Sequence, residues 1–261
     1  MKSSHFQTAV CAALLALTPA AHAVDGEILI TQAKALAGNV TPGDAPGFPV
    51  TLSLPGKYKL AGNLMVPEGA HGIDIDSDLV TLDLNGFTLQ GPVTCTGFAS
   101  NLACLPASNH YAIRAYNRVG LQLRNGAIRG FPYGISSLGN SGLAEDLFIS
   151  EIGGTALGAG YGSIIRGNRL YKVGNGISSG GLVLNNTVYG SKLYGIYSSY
   201  GGLIIGNQAH YTGSTGIVGA YQGNAALVHN AASTSGGYGD GIVGGESLGG
   251  GTDNFCENNL C

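Results

Sequence analysis

Residues 74–78 read Asp-Ile-Asp-Ser-Asp, and Asp83 follows in the next apolar run. Carboxylates at i and i+2 of an extended strand share a face, about 6.7 Å apart by backbone rise. That spacing lies near the separation at which two carboxyls serve as acid and base of an inverting glycosidase. The same oxygens suit Ca²⁺, a hard cation that takes carboxylate ligands. The run is not an EF-hand loop, because its sixth position is Leu79 and its twelfth Asn85. A second set is aromatic: Tyr171, Tyr189 and His210, with Tyr194, Tyr197 and Tyr200 nearby, in a chain of 13 tyrosines and no tryptophan. Exposed rings can stack on the apolar faces of sugars while hydroxyls hydrogen-bond. His71, His110, His210 and His229 have no partner in sequence and read as corner or surface residues. No Ser/His/Asp arrangement is visible.

What must position these groups is a repeat. A small residue and an aliphatic one recur at Gly72-Ile73, Ala112-Ile113, Gly134-Ile135, Ala156-Leu157, Gly176-Ile177, Gly195-Ile196, Gly216-Ile217 and Gly241-Ile242. After the first gap the steps are 22, 22, 20, 19, 21 and 25 residues. A second mark follows each aliphatic residue by 9 to 13 positions: Asn85, Asn125, Asp146, Asn168, Asn186, Asn207, Asn230 and Asn254. Apolar residues two and four places before the mark, as in Leu121-Gln122-Leu123 and Leu182-Val183-Leu184, give strand alternation. Ala127, Phe148, Leu170, Val188, Ala209 and Ala232 lie two places after it. Three short strands per period of about 22, separated by Gly, Asn and Ser, describe one coil of a β-solenoid. A helical repeat needs about 33 residues, and a leucine-rich repeat needs a Leu lattice that is absent. The 45 glycines suit tight corners. The Asn marks are expected to stack as a side-chain amide ladder, with Asn85 displaced by one.

Stacking the coils about 4.8 Å apart brings distant residues together. Ile73 and Ile75 face inward, so Asp74 and Asp76 face outward, with Arg114 beside Asp74 and Tyr116 beside Asp76 one coil later. Tyr171, Tyr189 and His210 align as an outer row. Three readings of the acidic set stand side by side: Ca²⁺ held by Asp74 and Asp76 with Arg114 acting on an acidic glycan; an acid/base pair of a hydrolase; or a solvated charge ladder, which contributes little. The aromatic row is either a sugar platform or plain cross-strand stacking.

Through its Gly-Ile and Val/Leu-x-x-x-Asn units, the chain resembles the right-handed parallel β-helix (pectate-lyase-like) superfamily. Val80-Thr-Leu-Asp-Leu-Asn-Gly-Phe87 and the block from Gly38 to Pro49 resemble uncharacterised secreted bacterial β-helix repeat proteins. The resemblance spans roughly residues 50 to 261. It implies the fold and says little about activity. Polygalacturonase-like enzymes carry Asn-Thr-Asp, Asp-Asp, Gly-His-Gly and Arg-x-Lys, and alginate epimerases carry Asp-Pro-His-Asp; none occurs here.

Charged residues make up 10% of the 261, net charge is −3, and the few basic residues are scattered, which argues against nucleic-acid binding. Lys2, the apolar run from Ala9 to Leu17 and Ala21-His22-Ala23 read as a signal peptide over 1–23. Its removal takes one Lys and no acid, leaving about −4, and takes Cys11. Cys95, Cys104, Cys256 and Cys261 then remain, an even number that suits two disulfides in an exported protein. The pairing Cys95–Cys104 and Cys256–Cys261 is the simplest of three. No second apolar stretch is long enough to span a bilayer.

The expectation is a single-stranded right-handed parallel β-helix of about eight coils. Residues 24–71 form an N-terminal cap, with a short helix from Thr31 to Leu36, and the first incomplete coils. Residues 72–261 form the β-helix, with a disulfide-closed insertion over 91–110 and a C-terminal cap over 244–261. The insertion either walls a groove or merely covers a flank. The functional expectation is a secreted or periplasmic protein that associates with a polysaccharide or cell-surface glycan, with no cofactor or with Ca²⁺. The alternative is a polysaccharide lyase or glycoside hydrolase using Asp74, Asp76 and Arg114. Candidate ligand contacts are Tyr116, Tyr171, Tyr189, Tyr197 and His210.

Overall fold

A computed structural model describes residues 26–198, 201–219, 225–234, 241–243 and 254–257. The expected signal peptide lies outside them. So do Tyr200, most of the C-terminal cap and the Cys256–Cys261 pairing. The described chain is an all-β parallel solenoid of about nine turns. Val50, Ile73, Ile113, Ile135, Leu157, Ile177, Ile196, Ile217 and Ile242 stand one above another in parallel register, one per coil. Two further stacked strands complete each coil, so three parallel sheets enclose one core; the third stacks Leu64, Leu89, Ile128, Ile149, Leu170, Val188, Ala209 and Ala232. The Gly-Ile pair is explained by crowding: a Cβ on Gly176 would lie 2.1 Å from the Gly195 carbonyl oxygen and 3.0 Å from a Val188 methyl. The isoleucine that follows is buried.

The N-terminal end is covered as expected. A helix over Gln32–Ala37 is capped by Thr31, whose hydroxyl accepts the Lys34 N–H, and stops at Gly38 with φ 75°. Gln32 accepts the Met65 N–H at 2.7 Å and donates to the Met65 carbonyl at 3.2 Å. Its amide so takes the place of the missing neighbouring strand.

The Asn marks are two different things. Asn168, Asn186, Asn207, Asn230 and Asn254 form a continuous ladder in which each side-chain Nδ2 donates to the next Oδ1 at 2.9–3.2 Å. Asn85, Asn125 and Asp146 are not in it. They hold left-handed corners at φ 53°, 59° and 54°. In register, Asn125 and Asp146 match Gly167, Asn185 and Gly206, one position before the ladder. A one-residue slip reverses which face a side chain takes. Hence Ile128 and Ile149 are buried while Ala127 and Phe148 face outward. Likewise Val183 and Ile204 are buried, leaving Leu182, Leu184, Leu203 and Ile205 on the outside, the reverse of the expected alternation.

The insertion after Gln90 carries an antiparallel hairpin, Thr94–Thr96 against Ala103–Leu105, closed by the Cys95–Cys104 disulfide. We call it the flap. It lies along the corner that follows the third sheet.

Candidate functional site

Asp74 and Arg114 are paired strand to strand, as expected. The guanidinium grips the carboxylate with both arms: Nε donates to Oδ1 at 2.9 Å and Nη2 to Oδ2. Asp74 is only 5% exposed, so the expectation of a solvated outward carboxylate is corrected. Arg114 from the next coil covers it. Asp76 is exposed, and its ion-pair partner is Arg118 at 3.6 Å rather than a strand neighbour; the ladder ends at Ala115 and Ile75, before Tyr116.

The surroundings of Arg114 hold residues that the sequence reading set aside. His71 Nδ1 accepts the Tyr111 N–H at 2.9 Å, and its Nε2 lies 3.2 Å from Arg114 Nη1. The His71 ring packs edge-on to His110 at 5.0 Å and stacks on Tyr111, which stacks on Tyr133 at 5.1 Å. Ser108 Oγ lies 2.9 Å from His110 Nδ1. His71 and His110 thus join the flap root to the Asp74–Arg114 pair and are not independent surface residues. Burial and Arg114 push the His71 pKa down, against a smaller upward pull from Asp74, while His110 adds to the depression. Protonating Nδ1 would forfeit the Tyr111 bond and add a charge beside Arg114. The Arg114 pKa is raised, chiefly by its bond to Asp74. Burial, then a hydrogen bond with Tyr116, raises that of Tyr111.

This donor set does not fit Ca²⁺. Both Asp74 oxygens are engaged by Arg114, and no group of three His, Cys, Asp or Glu that could hold a metal occurs among the described residues. A Ca²⁺ ion would have to displace a guanidinium from a covered site to gain one carboxylate.

The third sheet carries a groove of about 480 Å³, lined by Asn63, Met65, Thr88, Gln90, Gly91, Ala127, Arg129, Phe148 and Ser150. Met65, Gln90, Arg129 and Ser150 belong to four successive coils. Arg129 is held by Glu151 through Nε at 3.1 Å and Nη2 at 3.2 Å. The row continues from Ser150 to Tyr171, Tyr189 and His210, in the register expected from sequence. His210 Nδ1 lies 3.2 Å from Ser233 Oγ. Those tyrosines are not bare. Phe98, at the tip of the flap, packs against Tyr171, Tyr189 and Tyr211 with centroids at 6.2, 5.5 and 5.9 Å. Gly190, at φ 80°, makes the room: a Cβ there would lie 2.4 Å from the Phe98 ring. Neither Phe98 nor Tyr211 stood out in the sequence, because no repeat position marks them. Tyr197 packs on Tyr194 at 5.8 Å beside a small pocket that Thr155, Asn175 and Ser178 also line.

Between flap and corner lies a cleft of about 200 Å³. Leu102, Cys104, Pro106, Ala107 and Ser108 line it on the flap side, and Pro132, Tyr133, Gly153, Gly154 and Lys192 on the solenoid side. No protein-family model, curated protein or solved structure matches this chain.

Proposed function

We propose that this β-helix protein is exported and binds polysaccharide along the outer face of its third sheet. The observation that carries the reading is the groove across four coils. It offers the Gln90 amide, the Thr88 hydroxyl, the outer edge of the Arg129 guanidinium, whose other edge Glu151 holds, and the 40% exposed Phe148 ring, with Ser150 in its floor. Polar groups around an apolar ring match a sugar chain, whose hydroxyls rim an apolar face. Export agrees with the Cys95–Cys104 disulfide, a bond that persists in oxidising compartments.

Catalysis near Asp74 and Arg114 has less support. Asp74 is 5% exposed and bound at both oxygens by Arg114, so its carboxylate presents little open surface to a substrate. The paired groups serve better as a clasp between coils.

The test is titration against a panel of acidic and neutral polysaccharides, with and without Ca²⁺, monitoring both binding and chain cleavage. Binding without cleavage, weakened about tenfold by Phe148→Ala or Gln90→Ala, is expected; about tenfold corresponds to 1.4 kcal/mol. Cleavage abolished by Arg114→Ala would replace this reading with the enzymatic one.

A further inference from the structure

We infer that the cleft beneath the flap is a separate subsite for a single negatively charged sugar unit. The inference rests on the glycan-binding reading and names the chemistry of one end of the bound chain.

The first observation is charge. Lys192 is an exposed residue lining the cleft, and no acid pairs with its amine among the described residues. An unpaired ammonium in a walled cleft favours an anion, because partial removal of water strengthens the attraction. The second is shape. Tyr133, Pro106 and Pro132 supply flat apolar walls, while Ser108 supplies a hydroxyl. Gly154 lets the Tyr133 ring lie directly on backbone, since a Cβ there would be 2.3 Å from the ring, and Gly153 faces Cys104 of the flap. About 200 Å³ admits one ring, not a chain. The third is continuity. Arg129 lines the groove and Pro132, three residues on, lines the cleft, so one glycan can lie in the groove and turn its end under the flap.

The flap is held ready for this. Its disulfide closes the hairpin, and Phe98 seated among Tyr171, Tyr189 and Tyr211 pins the tip. The cleft is therefore formed before the ligand arrives, which lowers the ordering cost of binding.

The experiment is calorimetric titration of the whole protein with galacturonate, a sulfated galactose, galactose and inorganic sulfate. Both charged sugars are expected to bind at least tenfold more tightly than galactose and than inorganic sulfate; their ratio tells carboxylate from sulfate ester. Lys192→Gln is expected to remove the charge preference. Phe98→Ala is expected to weaken charged sugars while leaving polysaccharide binding in the groove intact. Equal binding of galactose and galacturonate, or an unchanged preference in Lys192→Gln, overturns the inference. Loss of all polysaccharide binding in the native protein would instead sink the groove reading, so the two failures are distinguishable.

Discussion

The Asp74–Arg114 pair gains its weight from burial. Exposed ion pairs contribute roughly 0–1 kcal/mol, but removing one partner of a covered pair leaves an uncompensated charge. Arg114→Ala is expected to lower stability by about 1–2 kcal/mol in urea unfolding, because Asp74 loses two charge-assisted bonds while water entering the space left by Arg114 softens the penalty. Arg114→Lys recovers only part, since an ammonium cannot bind both oxygens as a fork does. His71 adds a pH dependence. Its folded pKa lies below the ordinary 6.5, so the unfolded chain takes up a proton first as pH falls. Its stabilising contribution is present above about 6.5 and is lost as pH falls through the folded value. Thermal melts between about pH 7.5 and 5 should show a falling midpoint, and His71→Gln should flatten the slope.

Among the elements, the amide ladder and the left-handed corner are chemically unlike, although both use Asn. Asn186 donates to Asn207 Oδ1 and the Ile165 carbonyl and accepts from Asn168, all within the buried stack. Asn186→Leu strands those partners and should cost about 3 kcal/mol by denaturant unfolding. Asn125 is a corner at φ 59°, a conformation that glycine adopts freely. Asn125→Gly should change stability by less than about 0.5 kcal/mol, despite the same residue type and repeat position in sequence. The flap gives a third test. Gly190→Ala should expel Phe98, since the added methyl meets the ring and φ 80° strains any L side chain. Limited proteolysis within 91–110 would report it, with the solenoid intact. These elements were legible to different degrees. The ladder positions from Asn168 onward could be read from period and residue type, although the leucines before them face outward rather than inward. The earlier marks could not, since nothing in a single sequence separates an Asn that stacks from an Asn that turns left-handed.

The molecule as a whole is a solenoid whose stability comes from coil-on-coil contact, with the flap as an appendage. Closing a loop of about ten residues stabilises it by about 2–3 kcal/mol on the chain-entropy account. Reduction should therefore loosen the flap and leave the β-sheet circular dichroism unchanged. Simultaneous loss of both signals would mean that the flap holds the solenoid together. The C-terminal end carries a separate expectation: a mass measurement under non-reducing conditions should find no free thiol.

The period, the isoleucine column, the N-terminal helix cap and the Asp74–Arg114 register could all be read from sequence. Each follows from a repeat that places equivalent residues in contact. The flap's destination, the His71 contacts and the cleft at Lys192 could not. They depend on where a 20-residue insertion folds back, and that is set by contacts between Phe98 and tyrosines more than 70 residues away. Periodicity constrains neighbours within the stack; an insertion breaks the period, and only packing in three dimensions fixes its position.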